Sequence, residues 1–175
     1  MLSSEHGELP SSWKFGSLSE LMNIEGGTQP PASEFKSEPK EGYIRLVQIR
    51  DYDTDTHLTF IPDSKKLRKC NKEDIMIARY GASVGRILFG LNGAYNVALV
   101  KVVPKKDYYR EYLRYYLKGD DFQNRLISMS DRSAQAGFNK EDLASFTIPI
   151  AEPKIYELFN ELMRLIFKKM EINNF

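Results

Sequence analysis

Asp51, Asp53, Asp55 and His57, in the stretch DYDTDTH, have the types and spacing of a divalent-metal site. On a strand edge, alternation would set the three carboxylates on one face, where they could hold an ion as metal-dependent nucleases do. The spacing also imitates the first half of a calcium loop. Such a loop needs glycine at its sixth position and a bidentate glutamate at its twelfth, and Thr56 and Pro62 stand there instead. The competing reading is a solvated acidic turn. Nucleophilic chemistry has little to draw on: the histidines are His6 and His57, and no GxSxG or Cys-His arrangement occurs. ARYGASVGRI has two glycines four apart but neither GxxxxGK[ST] nor GxGxxG, so it reads as a turn between strands. Cys70, the one cysteine, permits no internal disulfide and no CxxC metal pair, as suits a reducing cytoplasm, and it reads as a bystander. No cofactor and no metal is expected.

A second set of side chains suits recognition. Arg45, Gln48 and Arg50 lie on or just after an apolar run, and Arg79 and Tyr80 precede a turn containing Ser83. Arg132, Ser133 and Gln135 occupy a glycine-flanked loop that Asn139 follows. Arg, Gln and Asn are the types that make bidentate contacts to guanine and adenine edges. The stretch IEGGTQPP contributes Gly26, Gly27, Thr28 and Gln29. Its successive amides could cup a phosphate or abut a groove; equally, Gly26 could end a helix and Gly27 relax the turn after it. The tyrosines of YYREYLRYYL could stack on bases, but their helical spacing favours packing between elements.

Charge is uneven along the chain although the net value is +1. Glu5, Glu8, Glu20, Glu25 and Glu34 face Lys14 alone near the start. Residues 64–100 set seven basic side chains against Glu73 and Asp74. A basic middle can bind a polyanion by displacing counterions, although a solvated face with local ion pairs fits the charge equally well.

The elements that would position these groups are short. Length supports one ordinary domain, no apolar run is long enough to cross a bilayer, and MLSSEHGELP lacks the basic and apolar regions expected of a signal peptide. Ser17 and Glu20 form a capping-box pattern opening a brief helix that Gly26 and Gly27 would stop. QPPASEFKSEPKEG reads as an exposed loop. Strands are expected at IRLVQI from Tyr43, LTFI, DIMIARY, VGRILF, NVALVKVV and FTIPI. Helices are expected from Tyr108 to Gly119, from Asp120, and after Asn139 as a cap. From Glu152 to Met170 apolar residues cover too wide a surface for a helix lying half in water, so that helix wants a partner.

Six segments in order carry a family resemblance: ELPSSWKFGSLSELMNIEGGTQP, GYIRLVQIRD, NKEDIMIARYGASVGRI, YNVALVKVVP, YLRYYLKGDDFQNRL and SAQAGFNKEDLASFTIPI. Together they resemble the target recognition domain of type I restriction-modification specificity subunits, across about residues 9–150. Two departures stand out: Gln29 separates Thr28 from Pro30 where the family has GGTP, and PIAEPKIYELF replaces the family's proline-rich, EQ-containing helix start. The resemblance implies an α+β fold: a twisted, mostly antiparallel β-sheet with short helices, and a C-terminal helix that begins the conserved spacer region. It implies a DNA target recognition domain over residues 1–150 and the start of that spacer over 151–175. It also implies a cytoplasmic, non-enzymatic subunit or half-subunit that reads one half of a bipartite site in double-stranded DNA. Its partners would be DNA adenine methyltransferase subunits and a restriction subunit, with self-association through the terminal helix and no membrane. Under it Lys65, Lys66, Lys69 and Lys105 would meet phosphates, and the Arg, Gln and Asn side chains above would choose sequence. The alternatives are the recognition domain of a single-chain type II restriction-methyltransferase, the Asp51/Asp53/Asp55/His57 nuclease, and a protein-interaction module built on the apolar tail.

Overall fold

The computed structural model describes residues 2–4, 7–131 and 137–173. Among them the order is β1 (Leu2–Ser4), β2 (Gly7–Leu9), β3 (Lys14–Ser17), β4 (Met22–Gly26), β5 (Tyr43–Val47), β6 (Phe60–Pro62), β7 (Lys69–Cys70), β8 (Ile75–Ala78), β9 (Ile87–Leu88), β10 (Gly93–Tyr95), β11 (Leu99–Pro104), α1 (Arg110–Tyr116), α2 (Asp120–Asp131), α3 (Lys140–Ala144), β12 (Thr147–Ile150) and α4 (Pro153–Asn173). The chain divides into two compact units. One comprises Met1–Asn23, Pro104–Gly119 and Asn139–Phe175, the other Ile24–Val103 and Asp120–Phe138.

In the first unit β3 and β12 form an antiparallel ribbon, with Ser17 opposite Thr147 and Lys14 opposite Ile150. Ser17 and Glu20 make the expected capping box, around a single 3-10 turn, Leu18–Glu20. The Ser17 hydroxyl also donates to the Ala144 carbonyl at 2.7 Å, and Leu18 N–H donates to the Phe146 carbonyl at 2.9 Å. Local capping thereby closes a contact across more than a hundred residues. Asn139 and Asp142 cap α3 in the same reciprocal way.

The tyrosine run packs rather than stacks on a ligand. Tyr109 and Tyr112 meet Tyr156 of α4 edge-on, with ring centroids 4.9 and 5.0 Å apart, and Tyr112 also meets Phe159 at 6.2 Å. Thus α1 is the partner for one face of α4. A different face stays open: Ile155, Leu158, Leu162 and Leu165, three and four residues apart, are 43, 54, 56 and 66% exposed. The Tyr156 hydroxyl accepts a hydrogen bond from Ala151 N–H at 3.1 Å at the start of α4. Tyr156→Phe is expected to lower stability by about 1 kcal/mol, the net worth of one such bond, as a shift in urea midpoint at unchanged m-value.

Two four-stranded sheets, ordered β6-β5-β10-β7 and β4-β11-β8-β9, supply most of the second unit. The fold is α+β with mainly antiparallel pairing; β10 against β5 is a parallel pair, with Tyr95 beside Val47. Val47, Cys70, Met76, Ala78, Leu88, Tyr95 and Leu99 form the larger core cluster of this unit, and Leu46, Ile61 and Ala94 a smaller one that Phe35 packs against. Cys70 is a core residue, and burial pushes its thiol up to about 11, consistent with a bystander.

Several local expectations change. The brief helix is one turn ending at Leu21, and Met22–Gly26 is strand β4, so Gly26 and Gly27 end a strand and not a helix. The run IRLVQI stops pairing at Val47, because Gln48 caps a 3-10 turn over Ile49–Tyr52. That turn removes the strand edge on which three aspartates would align. The loop after Gln29 is largely exposed as expected, yet Lys36 is bridged to Phe60 by two backbone bonds of 2.9 and 2.8 Å.

Candidate nucleic-acid interface

At one end of the second unit, the ends of β4, β5, β8, β10 and β11 converge. Gly27 N–H donates to the Leu99 carbonyl at 3.2 Å and Thr28 N–H to the Tyr95 carbonyl at 3.0 Å. Gly27 has no room for a side chain, since a Cβ would overlap the Asn96 carbonyl. Gly26 is open by comparison: its Cβ position lies 4.0 Å from an Arg79 terminal nitrogen. The chain therefore uses glycine at 27 to lay one backbone on another, and glycine at 26 to leave space before an arginine.

Arg79 leaves β8 at the centre of this end. Its N–H donates to the Ala98 carbonyl at 2.8 Å, and its Nε to the Phe138 carbonyl at 2.9 Å. The guanidinium carbon lies 5.1 Å from the Tyr80 ring centroid, and Tyr80 is 40% exposed. Gly137 packs on the same ring, where a Cβ would come within 2.7 Å of Cδ1. Anchoring through Nε fixes the plane of the guanidinium; among the described residues Arg79 has no carboxylate partner. Ser83 closes the 3-10 turn Gly81–Ser83, which Gly81 enters at φ +72°.

The turn after β10 completes the surface. Leu99 N–H donates to the Asn96 carbonyl at 3.1 Å and Ala98 N–H to the Asn96 side chain at 3.2 Å. Val97 is left 39% exposed on this pinned turn. Sequence reasoning missed both residues, though an asparagine between two apolar runs is a turn signal. Asn96 N–H also donates to the Val47 carbonyl at 3.2 Å, which sets Gln48 beside the turn. Gly26, Gly27, Thr28, Gln48, Arg79 and Tyr80 thus come together through backbone pairing.

Arg45 and its neighbours do a different job. Arg45 donates to Asp55 at 3.0 Å and approaches the Asp51 carboxylate at 3.7 Å, with a side chain 19% exposed. Asp51 is buried, which raises its pKa, and the Gln48 N–H together with Arg45 and Arg50 opposes that rise. Arg86 forks onto both oxygens of Asp53, holding that carboxyl below the usual range. Asp51 and Asp55 are thereby taken up by Arg45, with Arg50 also beside Asp51, and Asp53 is taken up by Arg86; among the described residues no group of three metal-type ligands could share an ion. Gln48 donates to the Thr59 hydroxyl at 3.2 Å, and Arg50 donates to the His57 carbonyl at 3.3 Å with its side chain 53% exposed.

The lysines are dispersed. Lys65 and Lys66 are exposed between β6 and β7, and Lys69 pairs with Asp63 at 2.6 Å. Gln29 is exposed and donates to the Pro30 carbonyl at 3.5 Å. Lys105 and Asn139 belong to the first unit, where Asn139 is spent on its cap. Arg132, Ser133 and Gln135 lie outside the described residues.

The fold is shared with subunits of known structure. A chain solved in work on complex assembly and conformational transition of the type I R-M system superposes with TM-score 0.67 at 20% identity, over 96% of this chain and 41% of that one. The HsdS subunit from Thermoanaerobacter tengcongensis gives 0.62 at 21%, over 97% and 41%. The type I restriction-modification S subunit from M. genitalium gives 0.58 at 16%, over 92% and 40%. The architecture is that of a type I specificity subunit, of which this chain spans about two-fifths of the length. Residues 10–173 match the type I restriction modification DNA specificity domain, and the chain belongs to that family.

Proposed function

We propose that the chain is a non-catalytic DNA-recognition subunit or half-subunit, reading one half of a bipartite duplex target for adenine methyltransferase and restriction subunits in the cytoplasm. The observation that supports this most is the convergence of Gly26–Thr28, Gln48, Arg79–Tyr80 and Asn96–Ala98 at one set of strand ends. Exposed Tyr80 and Val97 beside a fixed guanidinium offer an arginine for guanine and an apolar contact for a thymine methyl. Gln29 and Ser83 extend this reading surface, and Arg132, Ser133 and Gln135 are further candidates for base contacts on residue type alone. Lys65, Lys66, Lys69 and Lys105 supply phosphate contacts. Arg45 holds the Asp51 turn in place and supports the surface from behind.

Residues 1–150 form the recognition part and 151–175 begin a helical spacer. The open stripe of Ile155, Leu158, Leu162 and Leu165 follows the three-four repeat of a coiled-coil seam and pairs with a second copy or a second spacer helix. Leu158→Glu with Leu162→Glu is expected to convert the associated species to monomer, as measured by sedimentation. Lys65→Gln with Lys66→Gln is expected to weaken binding to every duplex alike and to reduce the salt slope by about one for each phosphate no longer neutralised. Anisotropy titrations over a salt series, with the methyltransferase present, test the proposal: a preference among duplexes supports it, and no duplex binding at low salt removes it.

A further inference from the structure

Beside the reading surface lies a cleft of about 320 Å³, whose cationic and polar lining comes from Lys36, Ser37, Arg50, Thr56, His57 and Thr59. Among the described residues no carboxylate lines it. Asp51, buried, lies behind it, 3.8 Å from Arg50 Nε. Phe35 and Leu58 supply apolar wall.

The walls are held from outside the cleft. Lys36 is bridged to Phe60, Phe35 packs on the Leu46, Ile61 and Ala94 cluster, and Gln48 bonds Thr59. Arg50 is steadied by the His57 carbonyl and leaves half its side chain to solvent. Because β6 runs antiparallel to β5, with Arg45 opposite Phe60, residues 57–59 lie at the end of β5 that leads to Gln48. The cleft and the reading surface therefore share Gln48 as a border.

We propose that this cleft binds a phosphate ester: Lys36, Arg50 and the hydroxyls of Ser37 and Thr56 hold the phosphate, and Phe35 and Leu58 face the attached sugar. The volume exceeds what a bare phosphate needs and suits one nucleotide unit. With DNA as the source, Arg50 is a backbone contact and not a base reader, a refinement that rests on the proposed function. Positioning at a phosphate carries no sequence information, so its loss must be uniform across sequences.

The test uses the full chain, alone and assembled with its methyltransferase. Lys36→Gln and Arg50→Gln are titrated with a preferred and a scrambled duplex over a salt series, and amide shifts of Ser37, Thr56 and His57 are followed with duplex, 5′-deoxyadenosine monophosphate and inorganic phosphate. Expected is a three- to tenfold weaker affinity for both duplexes, an unchanged ratio between them, and a salt slope reduced by about one per cation removed. Shifts with the mononucleotide, alongside unchanged duplex binding in both variants, keep the phosphate-ester site but overturn DNA as its source. Absence of shifts with any phosphate compound overturns the site, as does a changed ratio between duplexes in the Arg50 variant. If wild-type protein binds no duplex while the mononucleotide still moves these amides, the DNA-reading role fails and the cleft stands.

Discussion

Gly27→Ala is expected to destabilise the second unit by roughly 3 kcal/mol, the upper end of what overpacking costs. The added methyl would overlap the Asn96 carbonyl, and that carbonyl belongs to a turn pinned by Leu99 and Ala98 amides. A backbone group cannot rotate away as a flexible side-chain tip can, so the strain must spread into β10 and the core around Tyr95. Gly26→Ala, one residue earlier, meets only a side-chain nitrogen at 4.0 Å and is expected to stay within about 0.5 kcal/mol of wild type. Urea denaturation of the two variants separates these outcomes. Equal midpoints would show that the close approach at Gly27 does not exist in solution.

Arg79→Ala is expected to lower affinity for the preferred duplex by about 10- to 100-fold, or 1–3 kcal/mol for one bidentate base contact, and to leave scrambled duplex nearly unchanged. The geometry argues for this residue over Arg45. Arg79 spends one nitrogen on a backbone carbonyl and keeps its terminal fork clear of any carboxylate among the described residues, whereas Arg45 is committed to Asp51 and Asp55. Arg79→Lys should not rescue recognition, because an ammonium lacks the planar fork. Removing the Phe138 bond also costs some stability, so each variant is compared at equal folded fraction, by near-UV circular dichroism. Equal weakening on preferred and scrambled duplex would reassign Arg79 to the backbone.

Local signals in the sequence were dependable where a side chain caps its own neighbour. The Ser17–Glu20 capping box and the Asn139 cap both form as expected, and Asp142 completes the second as a box, because the capping bond spans three residues and needs no tertiary partner. The segment LSELMNIEGG misleads for a physical reason: Leu18, Leu21 and Met22 have helical spacing, yet burial of Met22 and partial burial of Ile24 put the second half on a strand's period of two. Strands β7 and β10 are too short to show any period and exist through cross-strand partners. The reading surface was legible in residue types but not in assembly. Gly27 meets Asn96, and Arg79 meets Ala98 and Phe138, through register that only the folded sheets define. The aspartate cluster failed differently, since each carboxylate found an arginine that the spacing alone did not predict.

The central claim is that this end of the sheets chooses DNA sequence for a methyltransferase. The most direct measurement is the adenine methylome of cells carrying the chain together with the methyltransferase proposed as its partner, in wild-type and Arg79→Ala forms. The account predicts a split methylated motif in wild type and relaxation at one position of one half in the variant. A methylome without any motif that depends on this chain, or a motif unchanged by Arg79→Ala at full protein level, would contradict it.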